Sequence, residues 1–100
     1  MTDWTKGAGW INGEIVPINE AKIGVTDWGL THSDITYDVA PLWKGALFRL
    51  DDYLTRFEQS MAALHMDVGM DRDAIKDALI STIRQTGFQD AYVSMVASRG

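Results

Sequence analysis

The sequence has no cysteine, only two prolines, and no run of 18 consecutive apolar residues. The first absence excludes a disulfide framework, a thiolate zinc site and a cysteine nucleophile. The last excludes a membrane-crossing helix. The opening residues Met1 to Gly7 lack the basic region and apolar stretch of a secretory signal, so a soluble chain in the cytoplasm is expected. Basic tracts are missing too. With 9 Lys and Arg against 14 Asp and Glu, the net charge is −5, which repels a phosphate backbone and makes nucleic acid an unexpected partner. Neither a Gly-x-Ser-x-Gly elbow nor a glycine-rich phosphate loop occurs.

What is present suits a globule. The 100 residues are 46% apolar, with four Trp, three Tyr and three Phe, enough to build a core. A chain of this length buries roughly 65% of its unfolded surface. One domain at most fits the length, and no linker, repeat or low-complexity tract interrupts it.

Asn12-Gly13 between Trp10-Ile11 and Glu14-Ile15-Val16 predicts a β-hairpin, since this dipeptide accepts the two positive φ angles of a type I′ turn. Pro17 and the residues after it should end the pairing. Gly24 to Asp34, rich in Gly, Thr, Asp, Ser and His, reads as a loop. Ile35 to Leu50 reads as a second hairpin turning at Lys44-Gly45, with Pro41 pushing its first strand toward an edge or a bulge. Leu50, Tyr53, Leu54, Phe57, Met61 and Leu64 form one stripe of a 3.6-residue helix, with Asp51 and Asp52 in its first turn and Asp67 to Gly69 as its stop. A second helix is expected from a cap at Asp71 or Asp73 through Ile75, Leu79 and Ile83 to Gly87. Ala91 to Ala97 reads as a strand with apolar residues on both faces, a pattern normally continued by further structure. The chain is therefore expected to be the amino-terminal piece of something longer.

Titratable groups concentrate in His32-Ser33-Asp34-Ile35-Thr36-Tyr37-Asp38. On an extended segment His32, Asp34 and Asp38 would share a face, as half of a metal site does, but polar loops carry such groups as turn formers. No metal is expected. Ser33, His32 and Asp34 cannot converge as a catalytic triad because they are neighbours in sequence. His65 on the helix flank reads as structural. Arg56 lies on the polar flank of the first long helix, where it either pairs with Asp52 at i−4 or clamps a phosphate with its planar fork. Tyr37 and Val39 share a face of the second hairpin, either as core or as the wall of a ligand cleft. Periodicity does not choose between these readings.

The runs Thr31-His32-Ser33-Asp34-Ile35-Thr36-Tyr37-Asp38-Val39, Trp43-Lys44-Gly45 and Phe48-Arg49-Leu50-Asp51-Asp52-Tyr53-Leu54-Thr55-Arg56-Phe57 resemble class IV, fold-type IV pyridoxal-phosphate enzymes. That family includes branched-chain and D-amino acid aminotransferases, aminodeoxychorismate lyases and (R)-selective amine transaminases, the last being the nearest in these runs. The resemblance implies an α+β fold, the small amino-terminal domain of such an enzyme, with antiparallel hairpins packed against two helices. It implies pyridoxal 5'-phosphate as cofactor, transfer of an amino group between an amine or amino acid and a keto acid or ketone, and a homodimer. Arg56 takes the position that binds the cofactor phosphate, Tyr37 and Val39 the positions that line the substrate pocket, and His32 a position near the pocket mouth.

The family's Schiff-base lysine lies in a larger carboxy-terminal domain, and Lys6, Lys22, Lys44 and Lys76 match no such motif. The 100 residues alone are therefore expected to be inactive, because that lysine both holds the cofactor and moves the proton. An alternative is a non-catalytic α+β module that uses the same scaffold for ligand binding or assembly. A reading frame that continues past Gly100 into a lysine-bearing domain favours the enzyme, and a stop codon there favours the module.

Overall fold

The computed structural model describes residues 3–100. In chain order it contains β1 (Ala8–Ile11), β2 (Glu14–Pro17), a 3-10 turn (Ile18–Glu20), α1 (Trp28–His32), β3 (Ile35–Trp43), β4 (Ala46–Leu47), α2 (Leu50–Ala63), α3 (Arg72–Thr86) and β5 (Ala91–Ser98). This is the α+β mixture of antiparallel hairpins and two long helices expected from the sequence. The chain divides into two compact units, residues 3–23 with Met70–Phe88, and Gly24–Gly69 with Gln89–Gly100.

The first unit is the β1–β2 hairpin and α3. Asn12 and Gly13 both have positive φ, 50° and 89°, as a type I′ turn requires. Pro17 is the last paired residue of β2, opposite Ala8, and the 3-10 turn follows it. Proline is tolerated here because this position donates nothing to β1: the next bond comes from Ile18 N–H to the Gly7 carbonyl at 3.0 Å. Helix α3 starts where Asp71 caps it, accepting from the Ala74 N–H at 2.8 Å, and stops at Gly87, whose φ is 70°. Ile75 and Leu79 are its buried residues.

The second unit is a sheet in the order β4-β3-β5, both pairs antiparallel, covered on one face by α2. Even-numbered residues of β3 point to the helix. Ala40 and Leu42 there meet Met95 and Ala97 of β5 and Leu54, Phe57 and Met61 of α2 in the buried core. The opposite face, formed by odd-numbered residues of β3 and even-numbered residues of β5, stays open: Tyr37, Trp43, Tyr92 and Val96 are all exposed. Strand β5 therefore alternates, and its apolar residues are not covered on both sides within this unit.

Pro41 sits in the central strand of this sheet. It is tolerated because residues two apart along a strand direct their backbone groups to the same neighbour. The Pro41 carbonyl accepts from Phe48 N–H at 3.1 Å, so its missing donor falls on the β4 side, where β4 has already ended, and the ladder to β5 is intact. Past that point β3 runs on without a partner strand on the β4 side among the described residues.

Two boundaries differ from the sequence reading. Residues 28–32 form the short helix α1 inside the expected loop, capped by Asp27, whose carboxylate accepts from Leu30 N–H at 3.2 Å. Gly29 lets this helix approach β5, since a Cβ there would overlap the Ser98 side chain, which itself donates to Asp27. Helix α2 ends at Ala63, before Asp67. His65 takes a left-handed φ of 52°, its N–H bonds the Ala62 carbonyl and the Met66 N–H bonds that of Met61 at 2.8 Å, the double closure that glycine usually makes. Arg99 secures it by donating to the Leu64 and His65 carbonyls and to the Asp34 carboxylate.

Candidate active site

Asp38 follows from the strand pattern. It occupies an inward position of β3, in the row of Ala40 and Leu42, and is only 6% exposed. A carboxylate at such a position must be paired or lose its charge. Arg56, on the flank of α2, supplies the partner: its Nε and Nη2 donate to Oδ2 and Oδ1 of Asp38, each at 2.6 Å. The Val39 N–H adds a third donor to Oδ1 at 2.9 Å. The hydrogen bonds from Arg56 hold the Asp38 carboxyl below its ordinary value despite burial, and the same bonds raise the guanidinium. The two directions agree, so the pair is ionised.

This replaces the i, i+4 pair with Asp52 as the structural reading of Arg56. Asp52 is held at 2.7 Å by Arg49, which stands in a left-handed conformation at the start of α2. Arg56 is released from its own helix and drawn to β3. Its Cζ lies 5.3 Å from the centre of the Tyr53 ring, which flanks it. Although both its inner donors are used, the Arg56 side chain is 64% exposed. Its Nη1 takes part in neither bond to Asp38.

Arg56 also borders an open cleft of about 440 Å³, lined in addition by Tyr37, Asp38, Val39 and Ser60. Tyr37 to Val39 stand on the run of β3 beyond the end of β4, while Arg56 and Ser60 are one helical turn apart on α2. Three of the residues singled out in the sequence, Tyr37, Val39 and Arg56, therefore meet at one place. Tyr37 is 68% exposed, which removes it from the core. His32 is not among the lining residues: its ring stacks on Trp28 at 3.5 Å and its Nδ1 is 2.7 Å from the Thr31 hydroxyl. His32, Asp34 and Asp38 go to separate partners, respectively Trp28, Arg99 and Arg56.

A second groove, of about 390 Å³, runs between the first hairpin and α3 and includes Trp10, Ile15, Met70 and Ala74. Among the described residues Asp77 is the one charged residue lining it, so it offers an anion no positive charge. Sequence reading missed Asp38 as a member of the site. The signal was available, because a charged residue two positions before Ala40 and four before Leu42 breaks the apolar row that faces a helix.

The α+β domain thus carries an arginine fork fixed by a buried carboxylate at the rim of an open cleft. The sequence pattern of the amino-transferase class IV family matches residues 36–100, and the chain belongs to that family. Among its relatives are the branched-chain-amino-acid aminotransferase-like protein 2 of Arabidopsis thaliana, 30% identical over 92 residues, and the D-alanine aminotransferase of Staphylococcus haemolyticus, 28% identical over 91 residues. Each alignment covers 91% of this chain, but 16% of the first relative and 32% of the second. The solved structure of the branched-chain aminotransferase from the archaeon Thermoproteus uzoniensis, with norvaline, superimposes with a TM-score of 0.80 at 28% identity. It covers 92% of this chain and 33% of that one. The chain thus spans about a third or less of the length of the relatives it matches.

Proposed function

We propose that these residues form the cofactor-phosphate and substrate side of a pyridoxal-phosphate-dependent aminotransferase. The observation that carries this is the exposed outer edge of Arg56, held at the cleft rim by Asp38, in a chain of the class IV family.

The residues present fit such a cofactor. A phosphate needs positive charge and N–H donors, and Arg56 offers both at its Nη1 edge. The nearby carboxylate is not an obstacle, because both Asp38 oxygens are already occupied by Arg56. Ser60, one turn along α2, adds a hydroxyl to the same wall. Pyridoxal phosphate, when bound, supplies the electron sink that amino transfer requires. Arg56 binds the anionic end and sets its position. Tyr37 offers an aromatic wall and a hydroxyl donor to the substrate, and Val39 an apolar surface beside it. His32 enters through the resemblance alone, with contact to substrate near the pocket mouth as its proposed role.

The proposed reaction moves an amino group between an amine or amino acid and a keto acid or ketone. The proposed assembly is a cytoplasmic homodimer. Its support is the family likeness, the exposed aromatic face of the second unit and the acidic sequence; among the described residues no helix is long and apolar enough to cross a membrane. Among the described residues no lysine lines the cleft. We therefore propose that residues 1–100 alone do not transaminate, and borohydride trapping of the cofactor on one stoichiometric lysine within them would contradict this.

The test of the main reading is Arg56→Ala in the full-length protein. Cofactor affinity should fall about ten- to a hundred-fold, the value of a charge-assisted contact. Asp52→Ala, which removes the partner of Arg49, should leave it unchanged. Equal losses in the two variants would return Arg56 to a surface role.

A further inference from the structure

We propose that Asp38 is a positioning residue for the cofactor: it holds the Arg56 fork in the orientation that turns the Nη1 donors toward the cleft. The inference rests on the phosphate reading of Arg56 and adds a residue that acts only through it.

An arginine 64% exposed on a helix flank has no reason of its own to adopt one orientation. Its stem has several rotatable bonds, and its default partner would be the carboxylate one turn back. The structure removes that default, since Arg49 occupies Asp52 at 2.7 Å. It substitutes a partner on another element. Two parallel 2.6 Å hydrogen bonds fix both the position and the plane of the guanidinium, and a single bond would leave it free to rotate.

The carboxylate is itself immobile. Asp38 is almost fully buried, belongs to the central strand of the sheet, and receives the Val39 N–H. The Tyr53 ring limits movement along the helix. Arg56 is thus fixed chiefly by a buried residue of the sheet and not by its own helix alone. Sites held by locked neighbours lose little freedom on binding, which is where preorganised affinity comes from.

A competing effect has the opposite sign. A carboxylate beside a guanidinium offsets part of its charge, so removing the carboxylate should strengthen attraction for an anion. Geometry favours orientation as the larger effect, because Asp38 engages Nε and Nη2, leaves Nη1 out of both bonds, and the side chain stays 64% exposed.

The experiment is a double-mutant cycle in the full-length protein, read as the dissociation constant for pyridoxal phosphate by equilibrium dialysis, with Asp38→Asn, Arg56→Ala and both together. Asp38→Asn should weaken binding about ten-fold, mid-range for the coupling of two residues in one hydrogen-bonded pair. In the Arg56→Ala background the same substitution should change nothing. Unchanged or tighter binding in Asp38→Asn overturns the proposal, as does a loss that persists without the arginine. No loss in Arg56→Ala itself sinks the phosphate reading instead, so the two failures are distinguishable. If Asp38→Asn does not fold, Asp38→Glu replaces it in the cycle. Its extra methylene displaces the fork and should shift affinity about three-fold or more with Arg56 present and not at all without it. No shift with Arg56 present overturns the proposal.

Discussion

At the level of single residues, Tyr37 shows how exposure separates chemistry from packing. Its strand face alternates with that of Asp38, so the backbone that buries the carboxylate pushes the phenol ring outward, to 68% exposure. Tyr37→Phe should therefore alter stability by no more than about 0.5 kcal/mol, as exposed substitutions do. If the hydroxyl meets the substrate as proposed, kcat/KM of the full-length protein should fall about five-fold, the worth of one hydrogen bond. Thermal melts beside steady-state kinetics check both halves. Unchanged kinetics with a lowered melting temperature would assign the ring to packing. Arg56 shows the complementary point. Helical spacing nominates Asp52 as its partner, and no local rule foresees that Arg49 takes Asp52 and leaves Arg56 to a residue 18 positions away.

Among the elements, α2 is the one whose buried stripe and first-turn charges can be traced to sequence. Its apolar stripe forms, its first-turn carboxylates stand at the positive end of the dipole, and Leu54, Phe57 and Met61 are the members that become buried. Leu54 is fully buried, so Leu54→Ala should cost about 2–5 kcal/mol. Leu64→Ala, at a residue 36% exposed on the same stripe, should cost a small fraction of that. Urea midpoints of the two variants check the contrast, and comparable losses would mean that the core of the second unit is not centred on Leu54. The end of this helix was not legible. The glycine that usually closes a helix is absent at position 65, and His65 takes its conformation because Arg99, 34 residues away, binds the carbonyls there. Helix α1 was missed because five residues hold too little periodicity to be read, although Asp27 carried the cap signal.

For the whole molecule, the ion pairs set how stability depends on acid. Hydrogen bonds from Arg56, Arg99 and Ser98 lower Asp38, Asp34 and Asp27 beneath the ordinary value of 3.8. A carboxyl lowered by folding binds its proton more readily in the unfolded chain, so unfolding free energy rises with pH through that window. The contribution is therefore complete above pH 3.8 and is lost as pH falls through the lowered values. Denaturant midpoints should decline below about pH 4, and Asp38→Asn should decline less steeply than the unsubstituted protein. An identical slope in the two would show that Asp38 titrates alike folded and unfolded.

The sequence by itself determined the elements that depend on neighbours within a few positions: both glycine-closed hairpin turns, the stripe of α2, and the Asp71 and Gly87 caps of α3. It also determined the family, because the motif around Tyr37 and Arg56 is local. Only the tertiary structure decided which residues share a site. Asp38 meets Arg56 because the sheet packs on α2, its neighbours Tyr37 and Val39 line the same cleft as Arg56 and Ser60, and the choice of Asp38 over Asp52 is made by burial. A carboxylate removed from water takes the best available cation, whatever its distance along the chain.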